Sequence, residues 1–345
     1  MDRIDFRSDT VSWPTPAMRT AMANAELGDD VYGEDPTVNQ LEALAAAKVG
    51  KEAGLFVASG TMGNLVAILA HANRGDEAIL GEDAHTFCWE AGGMATLGGV
   101  VPRPLPTDFM GRMDLNQVES SVRGDNPHLP HSQLILVENS YGGKGGYPIP
   151  ADYFAGIQEI ANRHDLNVHM DGARFFNAVV ALGIEPIEIT QHLDSITFCL
   201  SKGLSAPVGS VLCGSHDFIK KARRARKVLG GGMRQAGVLA AAGIVSLNEM
   251  IERLADDHKH ARQLAEGLSQ VPGVKVDLEN VKTNMVFFEL DESLSLTTRE
   301  VVSQLRERAN IWLGPVGSLQ FRAVTHYWIG KPEVDLLLET LQAII

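Results

Sequence analysis

The sequence predicts an α/β protein with a mainly parallel sheet, followed by a smaller α+β domain. From about residue 38 to residue 215, short apolar runs alternate with segments of helix length. Buried runs joined by crossover helices are typical of a parallel sheet that is covered on both faces. After the three glycines at 230–232 a long helical segment is followed by alternating strands and helices, which indicates a second domain.

The individual elements follow from apolar periodicity and from turn residues. Helices are predicted where apolar residues recur every three or four positions, over 38–49, 62–72, 236–268 with a polar break near 255–257, 298–309 and at the C-terminus. Strands are predicted at the short apolar runs 55–58, 77–80, 134–137, 167–170, 196–200, 209–213, 274–276, 285–288 and 319–324. A chain of 345 residues suits two domains. We expect an N-terminal segment over 1–30, a large domain over 31–240 and a small domain over 241–345.

Composition and charge exclude several classes of function. The formal net charge of −13 repels phosphate backbones, so we expect no nucleic-acid partner. The basic run 220–227 goes against this trend; it suits a solvated helix face or a subunit contact, with anion binding as the alternative. The longest apolar stretch, 238–247, is about half of the roughly 20 residues that a membrane span needs. We therefore expect no membrane partner.

The three cysteines favour a reducing compartment. Cys88, Cys199 and Cys213 have no spacing that resembles a disulfide framework or a metal knuckle. The N-terminal residues lack the apolar core of a signal peptide. We therefore expect a cytoplasmic protein. Neither a His-Glu-x-x-His motif nor a P-loop occurs, and no metal site is predicted.

Three polar sites directly follow predicted strands, where ligands of open parallel sheets bind. Ser59-Gly60-Thr61 lies between a strand and a helix, so it can cap the helix and offer free N–H groups to an anion. A cap without a ligand is the alternative. Asp171 follows the run 167–170; it could form a salt bridge with Arg174 or accept a hydrogen bond from a protonated pyridine nitrogen, which would keep the proton on the ring.

Lys202 is the third of these polar sites. It follows the apolar run 196–200 and precedes a loop. A lysine at a buried strand end can be nucleophilic, although most lysines are solvated surface charges. An anion site, then a carboxylate, then a lysine is the chain order of pyridoxal-phosphate (PLP) enzymes with the aspartate-aminotransferase fold. Asp171 and Lys202 are 31 residues apart, which suits adjacent strands joined by one helix.

Six longer segments resemble the low-specificity L-threonine aldolase family. They are Arg7-Ser8-Asp9-Thr10-Val11, residues 28–36, Ser59-Gly60-Thr61, Asp171-Gly172-Ala173-Arg174, residues 200–204 and residues 230–235. The resemblance implies PLP fold type I, in which a large domain built on a seven-stranded, mainly parallel sheet carries a smaller α+β domain. It also implies a carbon–carbon lyase that cleaves L-threonine or L-allo-threonine to glycine and acetaldehyde, and other β-hydroxy-α-amino acids likewise. Such enzymes are commonly homotetramers with active sites at subunit interfaces.

The resemblance also implies roles for single residues. Lys202 would bind the cofactor aldehyde, Asp171 the ring nitrogen, and Gly60 and Thr61 the phosphate, with Arg234 reaching the phosphate from a neighbouring subunit. The substrate carboxylate would be bound by Arg322, because a guanidinium matches a planar carboxylate, with Ser8 and Arg174 assisting. Without the resemblance, the sequence favours an ordinary helix-start arginine at position 234 and a surface strand residue at position 322.

Four further residues complete the implied site. His85 would stack on the ring and its Nε2, or a bound water, would be the base, because histidine titrates near neutrality; a structural histidine is the alternative. Glu90 could orient His85 or be an ordinary surface glutamate. His128 would approach the substrate's β-substituent, and Tyr32 would line the site from an adjacent chain or simply pack in a core or an interface.

Some positions depart from the family pattern. Tyr141 stands where the family usually has histidine, glycines at 142–143 and 145–146 could loosen this loop, and Ser205 stands where glycine is common. These departures leave substrate range and diastereomer preference open. Another fold type I PLP lyase, such as a phenylserine aldolase, a transaldolase or a β-eliminating enzyme, is the alternative function.

Overall fold

The computed structural model describes residues 3–345, so the first two residues of the predicted N-terminal segment lie outside the described residues. The strands in chain order are β1 (Ile4–Asp5), β2 (Ala53–Val57), β3 (Glu77–Gly81), β4 (Val101–Leu105), β5 (Ser132–Glu138), β6 (Asn167–Asp171), β7 (Ser195–Cys199), β8 (Ser210–Gly214), β9 (Val274–Val276), β10 (Met285–Leu290), β11 (Ile311–Trp312), β12 (Gly314–Pro315) and β13 (Gln320–Val324).

The helices of the described residues fill most of the segments between these strands. In chain order they are α1 (Pro16–Ala23), α2 (Pro36–Lys48), α3 (Gly60–His71), α4 (His85–Cys88), α5 (Leu115–Ser121), α6 (Ala151–His164), α7 (Phe175–Leu182), α8 (Pro186–Thr190), α9 (His216–Val228), α10 (Gly237–Val245), α11 (Leu254–Leu268), α12 (Thr298–Ala309) and α13 (Lys331–Gln342). Several begin with a side-chain cap, as α2 does at Asp35, which accepts hydrogen bonds from two first-turn N–H groups.

The central sheet confirms the predicted α/β class. Its seven strands are ordered β2-β8-β7-β6-β5-β3-β4. Only β8 is antiparallel, to both β2 and β7, and β6 pairs in parallel with β5 and β7. The carboxyl ends of the six parallel strands therefore lie at one edge of the sheet. The polar residues that follow them in sequence are brought to this edge.

Two differences from the predicted elements have clear physical causes. The strand β4, Val-Pro-Arg-Pro-Leu, was not predicted because prolines argue against a strand; it lies at the sheet edge, where a missing N–H donor is tolerated. The helical stretch breaks at a π-helical turn, Ser246–Met250, and not near 255–257. Asp256 and Asp257 lie in the first turn of α11, where the helix dipole favours acidic side chains.

A second hydrophobic core lies outside the central sheet. It is formed by α11, α12 and α13 against the antiparallel sheet β12-β13-β10-β9. Phe6 is fully buried in this core, and β1 pairs in parallel with β11. The N-terminal residues thus pack on the C-terminal half of the chain. The division into 1–30, 31–240 and 241–345 stays a prediction.

The helices also bear on a possible membrane span. Across residues 3–345, none combines the length and the apolar character that crossing a bilayer requires.

Candidate active site

The carboxyl edge of the central sheet collects most of the predicted site residues. Asp171 ends β6, Lys202 follows β7, and Ser59 follows β2 as the cap of α3. His85 follows β3, and Glu138 ends β5 beside Asp171, its register partner. Parallel topology brings these groups, which are distant in sequence, to one cleft.

Asp171 is a buried carboxylate that has no cationic partner among the described residues. It is 3 % exposed, and its Oδ1 accepts a hydrogen bond from the N–H of Ala173 at 3.0 Å. Its Oδ2 accepts one from Asn64 Nδ2 at 2.8 Å. Arg174 turns away and pairs with Asp9 instead, so the salt bridge between Asp171 and Arg174 that the sequence left open does not form. A buried charge without a counter-ion is costly, and a ring-nitrogen cation would supply the missing partner.

Lys202 presents an unpaired amine to the same cleft. Its backbone carbonyl accepts hydrogen bonds from Ser12 Oγ at 3.0 Å and from the N–H of Ser205 at 2.8 Å. Its Nζ has no hydrogen-bond or ion-pair partner within residues 3–345. The positive charge of Lys202 acts on both Asp9 and His85. The backbone is thus held in place while the amine stays available for an aldehyde.

Gly60 and Thr61 form the first turn of α3, directly after the cap Ser59. Ser59 Oγ accepts a hydrogen bond from the N–H of Met62 at 3.1 Å, and the other first-turn N–H groups are without helical acceptors. A Cβ at Gly60 would lie 2.9 Å from Cys199 Sγ. Glycine therefore lets the start of α3 lie against β7, close to the strand end that carries Lys202, where a phosphate could bind.

His85 and Glu90 form a hydrogen-bonded pair beside Asp171. His85 Nδ1 lies 2.9 Å from Glu90 Oε1, and one side-chain atom from each of the three residues lies within 4.8 Å of the other two. Because a carboxylate only accepts, the pair places the proton of neutral His85 on Nδ1. Nε2 therefore keeps a free lone pair, and the side chain is 43 % exposed to the cleft.

Three groups around His85 have raised pKa values, with different causes. The hydrogen bond to Glu90, with smaller contributions from nearby carboxylates, raises the pKa of His85. Burial raises the pKa of Glu90. Burial, together with the charge of Asp171, raises the pKa of Glu138 to about 7. Glu138 also joins two loops, because it accepts hydrogen bonds from the N–H groups of His85 and Gly142.

Two guanidinium groups, those of Arg174 and Arg322, face the cleft with one carboxylate beside them. Arg174 donates to both Asp9 oxygens, at 2.7 and 2.6 Å. Burial opposes the ionisation of Asp9, but the charge and hydrogen bonds of Arg174 outweigh it and hold the Asp9 pKa far below its usual range. Burial and then the charge of Arg174 lower the pKa of Arg322, whose buried Nε has no hydrogen-bond partner in the described part of the chain. This positive excess suits an incoming carboxylate.

Ser8 lies beside this cluster, because its Oγ lies 3.4 Å from Asp9 Oδ1. Three other predicted residues are not brought to the cleft by a single chain. Tyr32 is 74 % exposed. Arg234 forms a surface ion pair with Asp29, which caps the short helical turn that contains Tyr32. His128 lies in the exposed loop before β5, at the opposite edge of the sheet.

Sequence reasoning missed three residues of this site. Glu138 ends a strand just as Asp171 does, so the strand-end argument could have found it. Asp9 lies in one of the family segments, but its pairing with Arg174 joins positions 165 residues apart. Asn64 lies inside α3, and no local signal distinguishes it from an ordinary helix residue.

The departures from the family pattern are accommodated in the structure. Tyr141 is buried, and its OH donates to Asp83 Oδ1 at 2.8 Å. Lys144 forms an ion pair with the same aspartate at 2.6 Å. Two side chains of the glycine-containing loop, Tyr141 and Lys144, are therefore anchored to Asp83. Ser205 has a φ of 59°, a left-handed conformation that explains why glycine suits this position.

These residues fit a bound PLP. The lone amine of Lys202, the buried and unpaired Asp171, and the free first-turn N–H groups at Gly60 match an aldehyde, a protonated ring nitrogen and a phosphate. Together with the doubly covered parallel sheet, the site defines a PLP-dependent enzyme of fold type I.

The family model of β-eliminating lyases matches residues 5–291. A low-specificity L-threonine aldolase of Escherichia coli K12 is 47% identical over 96% of both chains. A probable low-specificity L-threonine aldolase of Arabidopsis thaliana is 45% identical over 99% of this chain and 97% of its own. Threonine aldolase of Leishmania major superposes with a TM-score of 0.82 at 20% identity, over 99% of both chains. The chain belongs to the low-specificity L-threonine aldolase family.

Proposed function

We propose that this protein cleaves L-threonine, L-allo-threonine and other β-hydroxy-α-amino acids to glycine and an aldehyde. The observation that carries the proposal is the placement of His85 beside Asp171, with Nδ1 bound to Glu90 and Nε2 free. A base beside the cofactor site can take the proton of a β-hydroxyl group, which retro-aldol cleavage requires. The relatives from Escherichia coli and Arabidopsis thaliana are named as L-threonine aldolases, which supports this proposal.

Each part of the cofactor is assigned to a different residue or pair of residues. When bound, PLP provides a ring that accepts the electron pair of the breaking Cα–Cβ bond. Lys202 would hold its aldehyde, and Asp171 would keep the proton on the ring nitrogen. Gly60 and Thr61 would hold the phosphate through N–H groups at the start of α3.

The substrate carboxylate is assigned to the arginine cluster. Arg322 has a buried Nε without a hydrogen-bond partner among residues 3–345, and Arg174 donates to Asp9 through Nε and Nη2. Ser8 lies beside them. Holding the carboxylate here would fix the rotation about Cα, so that the bond to the β-carbon is the one that breaks.

Proton transfer is assigned to His85, with a bound water as the alternative. Glu90 fixes the tautomer and stabilises the protonated ring, which raises the pKa of His85. The Nε2 atom then accepts the β-hydroxyl proton and returns a proton later in the cycle. We also assign the predicted stacking role to His85, because its side chain lies close to Asp171.

The remaining predicted residues need a second copy of the chain. Tyr32, Arg234 and His128 are exposed and lie away from the cleft. We assign Arg234 to the phosphate, Tyr32 to the wall and His128 to the β-substituent of a neighbouring copy's site. This arrangement requires an oligomer, and a homotetramer in the cytoplasm is the state that we propose.

A second candidate follows from the family model of β-eliminating lyases. The same lysine and aspartate would serve an enzyme that expels a β-substituent and releases ammonia and a keto acid. A phenylserine aldolase or a transaldolase would also use them. These reactions differ in their products, so product analysis separates them.

The test is a steady-state panel with the PLP-loaded protein. The substrates are L-threonine, L-allo-threonine, both D-enantiomers and phenylserine, with aldehyde, glycine and ammonia measured separately. Equal amounts of glycine and aldehyde from the L-substrates support the proposal. Release of ammonia and keto acid without glycine would instead establish an eliminating enzyme, and no turnover of any substrate would refute the proposed function.

Replacing Arg322 with alanine should raise the KM for L-threonine far more than it lowers kcat. Losing a charge-assisted hydrogen-bond pair costs about 2–3 kcal/mol, roughly 100-fold in kcat/KM. The measurement compares L-threonine with L-threonine amide, which lacks the carboxylate. Arg322→Ala should largely lose the preference for the acid, whereas Arg299→Ala, at an exposed position of α12, should keep it. An unchanged preference in Arg322→Ala would contradict the assignment.

A further inference from the structure

A buried chain of hydrogen bonds leads from the end of α3 to the cofactor site. His71 Nε2 lies 2.7 Å from Ser195 Oγ, and this hydroxyl lies 2.8 Å from His169 Nδ1. His169 Nε2 lies 3.2 Å from Asn64 Oδ1. Ser195, His169 and Asn64 are all buried. The proposed function uses none of these four residues.

Asn64 is the branch point at the end of this chain. Its Nδ2 donates to Asp171 Oδ2 at 2.8 Å and to Glu90 Oε1 at 2.9 Å. Each of these carboxylates only accepts, so both amide hydrogens of Asn64 are used and its Oδ1 must accept from His169. One side chain thus joins the group that faces the ring nitrogen to the group that orients His85.

The direction of every bond in the chain follows from this orientation. Burial keeps His169 neutral by lowering its pKa well below the usual value. With its proton on Nε2, its Nδ1 must accept from the hydroxyl of Ser195, which has only one hydrogen. His71 must then donate to Ser195 through Nε2. Burial and then the charge of Lys221 lower the pKa of His71 to about 4, so it is neutral as well.

We propose that Asn64 is a positioning residue. The hydrogen bonds that lead from His71 through Ser195 and His169 hold its amide in the one orientation that donates to both Asp171 and Glu90. Its role toward PLP rests on the proposed function, whereas the hydrogen-bond chain does not. The amide allows two carboxylates to lie close together in a buried place, where like charges repel strongly. It aims Asp171 at the ring nitrogen and keeps Glu90 available for His85.

Other charged groups also face this pair of carboxylates. Glu138 ends the neighbouring strand and interacts with Asp171 through its charge. The charge of Lys202 acts on His85, which in turn bonds to Glu90. The neutral amide of Asn64 thus supplies donors among these charged groups without adding a charge of its own.

The first test is Asn64→Asp, which replaces the shared donor with a carboxylate of the same shape, so that it becomes the third acid in direct contact with Asp171 and Glu90. The three acids cannot all stay ionised, so the pKa of one of them rises in the folded chain. A raised pKa of an acid gives stability that is present at low pH and lost as pH increases. In the cofactor-free full chain we expect the drop in Tm to be at least ~2 °C larger at pH 8.5 than at pH 5.5.

The matched control is Asn116→Asp, which adds the same charge in the exposed first turn of α5. Its Tm difference from the unaltered protein should be the same at both pH values. An equal drop at both pH values for Asn64→Asp, or no drop, would overturn the proposal.

Two variants that add no charge keep the proposal testable if Asn64→Asp does not fold. Asn64→Ala removes both donors, and Ser195→Ala removes the link that sets the tautomer of His169. The dissociation constant for PLP is measured by titration of the cofactor-free chain. We expect it to rise about tenfold for Asn64→Ala and by less for Ser195→Ala. PLP affinities within twofold of the unaltered protein in both variants would refute the role. Neither readout requires threonine cleavage, so failure of the proposed function would be recognised separately.

Discussion

Replacing Lys202 with alanine is expected to reduce retro-aldol turnover by on the order of 10⁴-fold or more. The amine of Lys202 has no partner within residues 3–345 and is the nucleophile that we propose, and removing a nucleophile that acts as part of a unit has effects of this size. Its backbone bonds to Ser12 and Ser205 do not involve the side chain, so the fold should persist. The measurement is kcat with L-threonine in the presence of saturating PLP.

Borohydride reduction provides an independent readout for the same variant. In the unaltered protein, reduction after loading with PLP should attach the cofactor to the peptide that contains Lys202, as seen by mass spectrometry. Lys202→Ala should show no such adduct, and Lys48→Ala, at an exposed position of α2, should behave like the unaltered protein. An adduct on another lysine, or turnover close to normal in Lys202→Ala, would disprove the assignment.

Replacing Asp171 with asparagine should have the second-largest effect, a loss on the order of 10³-fold in kcat. The carboxylate accepts hydrogen bonds from the N–H of Ala173 and from Asn64, and it forms no ion pair with a lysine or an arginine within residues 3–345. An amide at this position would turn its own NH₂ group toward one of these donors and could no longer hold a proton on the ring nitrogen. We expect PLP to bind more weakly as well.

The electrostatic origin of this loss can be separated from a structural one. Asp171→Glu keeps the charge and should retain more activity than Asp171→Asn. Asp194→Asn, at an exposed position where β7 begins, removes an aspartate at the opposite edge of the sheet and should leave turnover close to normal. If the kcat of Asp171→Asn were within tenfold of that of the unaltered protein, the reaction would not need a protonated ring nitrogen.

Asp171 and Lys202 could be predicted as site residues because their positions depend on local patterns. Each follows a run of apolar residues, and a parallel sheet brings all such ends to one edge. The roles of His85, Arg322 and the other implied residues came only from the resemblance to a family. The fold and the family are confirmed, while the roles of single residues stay predictions that the experiments above test.

Apolar periodicity along the chain was enough to predict the class of fold, most strands, the helices α2, α3 and α10 to α13, and the strand ends that carry Asp171 and Lys202. It missed β4, whose prolines are tolerated only because it is an edge strand. Contacts between distant parts of the chain depend on the tertiary structure alone. The pairing of Asp9 with Arg174 and the junction at Asn64 join residues more than 100 positions apart, because packing, and not the local pattern, brings these side chains into hydrogen-bond range.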